Sequence, residues 1–363
     1  MTKIHYILSI LLSLFVSSCI SLDELSIDYL QPAKVSFPLE IKKVGVINNT
    51  TFRKDKEIKE SKTIFNKLIT DTIFQGNTKR ATETLAENVV AANYFDEVII
   101  CDSALREKDL LPRDPELSQE EVKQLTSDLG VDMLLSVEDV IIEMKKKTED
   151  HGNFYRKTID ATVKPVIRIY MPSRSKPLVS VYPEDKIFWE GYGRTDAEAT
   201  KDLIKEDTLI KETSEFAGEL PVKHILPTWN TANRYYYIGG SLELRDGGVL
   251  IREGLWDDAL KLWLIANGKK SYKLKMRSAF NIALYYESHD EIEKAIEWAE
   301  KANQLVLIKE KIKELPVKEG KAMTTNNYSQ DYILTTRYLM LLKERRNEIQ
   351  TLNLQMKRFD DDF

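Results

Sequence analysis

Few side chains in this 363-residue chain are suited to nucleophilic, metal or acid–base chemistry. It holds two cysteines, four histidines and scattered acidic pairs. Cys19 is the most informative of them. Lys3 is followed by ten largely apolar residues from Ile7 to Val16, then Ser17-Ser18 and the cysteine. That is the layout of a secretory signal, with a charged entry, a short apolar stretch and small residues at the cut. The apolar run falls short of the roughly 20 residues a bilayer-spanning helix needs. Cys101, in Val98-Ile99-Ile100-Cys101, reads as a buried strand residue suited to packing rather than reactivity, and it has no internal disulfide partner in the mature chain.

The remaining histidines, His151, His224 and His289, lie far apart and none has metal-ligand spacing. Asp257-Asp258 stands at a helix start, where acids favour the dipole, and Asp360 to Asp362 read as a bare tail. There is no G-x-S-x-G elbow, phosphate loop or dinucleotide fingerprint. With no convergent acid, base and nucleophile, a non-enzymatic protein without metal or cofactor is expected. Aromatics are more suggestive. Trp229, Arg234, Tyr235, Tyr236 and Tyr237 are candidate partner-binding residues, since Trp, Tyr and Arg dominate interface energetics. Trp256, Trp263 and Trp298 are expected to fill an inter-helix core.

Charged residues at 31% and hydrophobic residues at 42% exclude disorder throughout, and a net charge of −5 lacks the footprint of a nucleic-acid binder. The chain divides into a signal peptide (1–18), a tether (19–39), an α/β domain (40–225), an all-α domain (226–356) and an acidic tail (357–363). Ile41 to Asn49 reads as a strand, Thr78 to Ala92 as a helix with Ala81, Leu85 and Val89 on one face, and Glu97 to Cys101 as a short strand. Ser118 to Glu121 forms a capping box opening a helix that closes at Gly130. Val131 to Lys146 is a long strand whose apolar set changes face near Asp139, which predicts a bulge or bend. A second long strand runs from Phe154 to Met171, where Pro165 predicts an edge or bulged position. A third strand covers Ile187 to Gly193, and Thr195 caps a helix reaching Leu220. His224 falls in the segment expected to link the domains. Beyond Trp229 only helical patterns remain.

Those helices repeat. Ala259 and Ala295 lie 36 residues apart and each is followed seven later by alanine (Ala266, Ala302). The pattern resembles the tetratricopeptide repeat, whose second helix carries small residues where paired helices cross. Ala279, Ile282, Ala283 and Tyr286 fit the first helix of the second copy. In the first copy Gly247-Gly248 predicts a broken helix, and a third helical pair is expected between Tyr328 and Met356. Two copies are fewer than the three an independent stack needs, so capping by other segments is implied. Such stacks bind peptides in a concave groove.

Val16-Ser17-Ser18-Cys19 resembles the lipobox of bacterial lipoproteins, which implies cleavage before Cys19 and its acylation. Ile20 in place of aspartate implies the outer membrane, and Asp23-Glu24 is similar to the export signals of surface lipoproteins in Bacteroidetes. Val44-Gly45-Val46, Phe95-Asp96-Glu97-Val98 and Leu129-Gly130-Val131-Asp132 resemble the periplasmic domain shared by CsgG, TolB and LpoB. That resemblance covers residues 41 to about 220 and implies an envelope scaffold; CsgG itself is a pore, but a half-buried soluble strand accounts for residues 154–171 more simply. Together these features resemble a family of Bacteroidetes outer-membrane lipoproteins, implying an architecture without a mechanism. The expected partners are the membrane, through acylated Cys19, and an envelope protein. A glycan, as in SusD-like lipoproteins, and an envelope hydrolase are the rival readings.

Overall fold

Satisfying backbone groups at the ends of a few strands organises the first half of the chain. The computed structural model describes residues 22–51, 57–62, 68–106, 116–312 and 328–362. Cys19, Ser17-Ser18 and the apolar run before them lie outside the described residues. Along the chain come β1 (Leu22–Gln31), β2 (Lys43–Asn48), β3 (Glu57–Lys62), β4 (Leu68–Gln75), α1 (Thr78–Ala91), β5 (Glu97–Cys101), α2 (Gln119–Leu129), β6 (Met133–Asp150) and β7 (Tyr155–Tyr170). Next are β8 (Val179–Val181), β9 (Asp185–Gly193), α3 (Asp196–Asp202), α4 (Glu206–Glu219), α5 (Val222–Ile225) and β10 (Thr228–Tyr237). The helices α6 (Leu242–Arg252), α7 (Trp256–Gly268), α8 (Tyr272–Ser288), α9 (Ile292–Glu310) and α10 (Gln330–Met356) follow, then a 3-10 turn, Lys357–Asp362. A sheet-rich region thus precedes a helical one, and the chain divides into two units.

The α/β unit comprises Pro32–Thr228 and Leu352–Phe363. Its β2 is central, with parallel β5 on one side (Val44↔Val98) and the first half of β6 on the other (Val44↔Met133). Val44 and Val46 pack with Leu85 and Val89 of α1, while Ile47 packs with Val122 of α2, so the two helices cover opposite faces. The residues of the motifs serve this frame. Gly130 caps α2 in the left-handed region at φ 66, where glycine has no Cβ penalty. The Asp132 carboxylate accepts from the N–H groups of Lys42 and Lys43, both at 2.8 Å, closing the start of β2. The capping box at Ser118 and Glu121 is formed. Helix 195–220 is interrupted at Leu203, giving α3 and α4.

The long hairpin β6–β7 pairs over its whole length, with a register shift between Val137 and Asp139 where the apolar set changes face. Pro165 lies in the gap between the β9 register, which ends at Val163, and the β8 register, which begins at Ile167. Its missing N–H is therefore not demanded by those neighbours. Ile159, Ala161, Val163, Ile167 and Ile169 are all buried. The other face carries cross-strand ion pairs, among them Lys147–Asp160 at 3.1 Å, Lys164–Glu143 at 2.8 Å and Arg156–Glu190 at 2.8 Å. The pattern is that of a strand buried on one face and carrying charged pairs on the other.

The tether and tail readings need correction. Leu22–Gln31 is a strand, and Ala33, Val35 and Phe37 are buried in the α/β unit. The tail is folded from its first turn. Gln355 donates to the carbonyls of Ala33 and Val35 at 2.9 and 3.0 Å and accepts from Ala33 N–H at 2.9 Å, while buried Arg358 lies 3.9 Å over the Tyr94 ring. Phe359 packs on the same core. Such partners lie more than 250 residues apart, so no local pattern announces them.

The helical unit comprises residues up to Gln31 and Trp229–Thr351. Ala259, Ala266, Ala295 and Ala302 are fully buried, with Trp263 packed in one cluster with Ala259, and Ala295 and Ala302 in another. Gly247-Gly248 does not break α6. A Cβ on Gly247 would stand 2.4 Å from Nε1 of Trp263, so the glycine provides close helix approach instead. The third pair is one continuous helix, α10. The strand signal does not end at Trp229 either, because β10 pairs with β1 in a two-stranded ribbon. Ser26 bonds Asn233 at 2.8 Å and Asp28 bonds Thr231 at 2.5 Å, so the strands run antiparallel.

Candidate functional site

The aromatic segment on β10 alternates between exposed and buried from Asn233 to Tyr236, and Tyr237 at the strand's end departs from the alternation. Trp229 is 74% exposed and Tyr235 49% exposed, on the outer face of the ribbon with Thr231 and Asn233. Arg234, Tyr236 and Tyr237 are buried, which corrects their assignment as partner-binding residues. Asn281 of α8 accepts from the Tyr237 N–H and donates to its carbonyl, both at 2.8 Å, acting as a one-residue substitute for a neighbouring strand. The Tyr237 hydroxyl donates to Asp331 at 2.8 Å, and burial followed by that carboxylate pushes its pKa up. Tyr236 donates to Asp23, also at 2.8 Å. Burial and this bond raise its pKa to about 12, while Asp23 is held below the usual carboxylate range by Tyr236 first and Arg252 after it.

Arg234 reaches the most highly charged point of the helical core. Glu287, fully buried, accepts from Arg234 Nε at 3.0 and 3.1 Å and from its Nη2 at 2.8 Å. Arg345 Nη1 adds a contact at 3.0 Å and the Tyr338 hydroxyl one at 2.8 Å. Burial opposes the charge on Arg234, but the bonds and field of Glu287 outweigh it and leave its pKa raised. Burial, then Glu287, pushes the Tyr338 hydroxyl far above its ordinary value. With Arg234, Arg345 and Tyr338 all bonded to Glu287, and Arg345 also paired with Asp290, the cluster acts as a lock between β10, α8 and α10.

A second polar cluster sits in the α/β unit, at the end of β2 and the bulge of β6. Glu138 is buried and accepts from Asn49 Nδ2 at 2.8 Å and the Tyr170 hydroxyl at 3.1 Å. Arg168 Nη1 stands 3.7 Å away, an ion pair too long for a hydrogen bond. Burial raises the Glu138 pKa, against the opposing pull of Ser136, Asn49 and Arg168. The ends of parallel strands are where α/β sheets bind ligands, and a buried carboxyl with a raised pKa is what this arrangement places there. Sequence reasoning passed over it, although an acid inside the apolar run from Met133 to Ile142 was its signal.

The histidines stay apart. His289 stacks on Tyr285 at 4.2 Å and His151 on Phe154 at 4.6 Å. His224 belongs to α5, inside the α/β unit rather than in a linker, and its pKa is lowered by burial and then by Lys34 and Lys223. Among the described residues no group of His, Cys, Asp or Glu could hold a metal ion. Cys101 is half-buried beside Ile47 and Leu134.

Fold and site together define a protein of one α/β unit and one helical unit. The chain belongs to the family described as "Domain of unknown function (DUF8603)", whose model matches residues 41–237, over half its length. A second model, "Domain of unknown function (DUF6340)", matches residues 245–344. No curated protein and no solved structure matches the chain.

Proposed function

We propose that this is a non-enzymatic, lipid-anchored protein of the bacterial outer membrane that docks a protein partner through its helical unit. In this reading the α/β unit is a CsgG/TolB/LpoB-like scaffold and the helices are a tetratricopeptide-like pair of hairpins. The observation that carries the docking surface is Trp229. A tryptophan 74% exposed on a strand is unusual for a residue type that normally buries most of its surface. Tyr235 stands on the same face, six residues along the strand, with Thr231 and Asn233 between them. Trp229→Ala together with Tyr235→Ala should abolish recovery of a stoichiometric crosslinked partner from native membranes while leaving the thermal unfolding curve unchanged. Equal recovery by this variant and wild type would reject the ribbon face as the docking surface.

A glycan is the second reading, favoured by one feature. The two aromatic side chains bracket a polar ladder, Ser26–Asn233 and Asp28–Thr231, whose hydroxyl and carboxylate groups suit a sugar chain. Retardation in a polysaccharide affinity gel, lost in Trp229→Ala, would select it.

A further inference from the structure

The strand that begins the described chain starts close to the proposed lipid site. Cys19 precedes Leu22 by three residues, which reach at most about 11 Å when fully extended. Leu22 is itself packed on the helical core beside Tyr237. Asp23 is fastened by the Tyr236 hydroxyl at 2.8 Å and by Arg252 Nη1 at 2.5 Å. Arg252 ends α6, and the exposed aliphatic residues nearest to it along the chain are Val249, one turn before, and Leu255, three residues after. They are 40% and 46% exposed.

We propose that this end of the ribbon, where Arg252 is fastened to Asp23 and Val249 and Leu255 flank Arg252 along the chain, lies directly against the lipid headgroups. The inference rests on acylation of Cys19, as proposed above. A linker of this length leaves no room for the helical unit to stand away from the surface. The bilayer is then the occupant of the apolar pair, with Arg252 at headgroup level. Asp23 neutralises Arg252, and Glu24 follows Asp23 in the chain, so zwitterionic phosphatidylethanolamine suits this end better than an anionic lipid.

The test uses the full chain, exported and acylated in cells and reconstituted in phosphatidylethanolamine–phosphatidylcholine vesicles containing brominated lipid. An environment-sensitive dye is attached at Leu255→Cys in a Cys101→Ser background. A second form carries a Gly/Ser insert of about twelve residues between Ser21 and Leu22, which adds roughly 20 Å of reach. Bromolipid quenching should be at least about twofold stronger without the insert, since interfacial groups sit only some 5–10 Å deep. Incorporation of a palmitate analogue is measured on both forms. Labelled protein whose quenching is weak, or equal in the two forms, overturns the headgroup contact and leaves anchoring intact. Protein that takes up no palmitate analogue overturns both.

Discussion

Glu287 is the residue whose charge the helical unit should tolerate losing least. Glu287→Gln preserves volume but leaves the Arg234 and Arg345 side chains, 8% and 6% exposed, facing a neutral amide. Removing one partner of a buried ion pair costs about 3–5 kcal/mol. At 1.4 kcal/mol per decade the unfolding constant should rise by roughly two to three and a half decades. Tyr338→Phe removes one donor to the carboxylate without unbalancing the charge, and should cost about 1.5–3 kcal/mol. Four of the five tryptophans (Trp229, Trp256, Trp263 and Trp298) belong to the helical unit. Urea unfolding followed by tryptophan emission in a Trp189→Phe background therefore reports on that unit alone. The decisive comparison is the triple variant Arg234→Met, Glu287→Leu, Arg345→Leu made in a Tyr338→Phe background, so that no buried hydroxyl is left without its acceptor. Apolar replacement of a whole buried ionic group is often neutral or stabilising, so the triple should unfold at higher urea than Glu287→Gln. A single variant within about 1 kcal/mol of wild type, or a triple variant less stable than the single, would refute the view that these charges are desolvated and mutually dependent.

Other expectations concern both units. Burial holds Glu138 above its ordinary pKa, so the native state keeps its proton to higher pH than the unfolded chain does. Stability from this group is thus lost as pH rises from the unfolded value towards the folded one, and Glu138→Gln should flatten that slope in unfolding free energies compared at about pH 5 and about pH 7. Gly247→Ala should cost about 1–3 kcal/mol by forcing a methyl into Trp263, and a double-mutant cycle with Trp263→Phe should recover part of it. Gln355→Ala leaves the Ala33 N–H and the carbonyls of Ala33 and Val35 without their partner. It should cost about 2–4 kcal/mol and speed hydrogen exchange at residues 33–37 selectively.

The parallel core was readable because its determinants are local. Val44 and Val46 alternate, Ser118 stands three residues before Glu121, and the apolar face switches at Asp139, each signal lying within a few residues of what it specifies. The α7 and α9 alanines likewise announced close helix crossings. The ribbon was not readable. In β1 only Ile27 is buried, and what holds the strand is pairing with β10 and side-chain bonding to partners about 200 residues away. Arg234 made its segment look like a surface, because an arginine is buried only where a carboxylate waits for it. Glu287 lies 53 residues further on, and nothing near Arg234 reveals it. Gly247 was read as a breaker for the same reason, since the indole that needs its missing Cβ belongs to the next helix.

Two helical hairpins are too few to bury their own faces, and the helical unit meets this shortage from within the chain. Helix α8 is buried from Met276 through Tyr285, which a hairpin helix exposed along a groove would not be. Tyr237 and Asn281 join it to the ribbon on one side, while Tyr338 and Leu342 of α10 share its cluster with Phe280 and Ala283. Asn303 of α9 adds bonds to Thr335 and Thr336 at 3.1 and 2.8 Å. The face of α8 that a docked peptide would need in a longer stack is thereby taken by β10 and α10. In the docking proposed above, the outside of the ribbon is the surface left for a partner, with Trp229 exposed among the described residues. It follows that deleting β1 should damage the helical unit more than removal of a tether would, because that strand bonds the other half of the ribbon locking α8 in place.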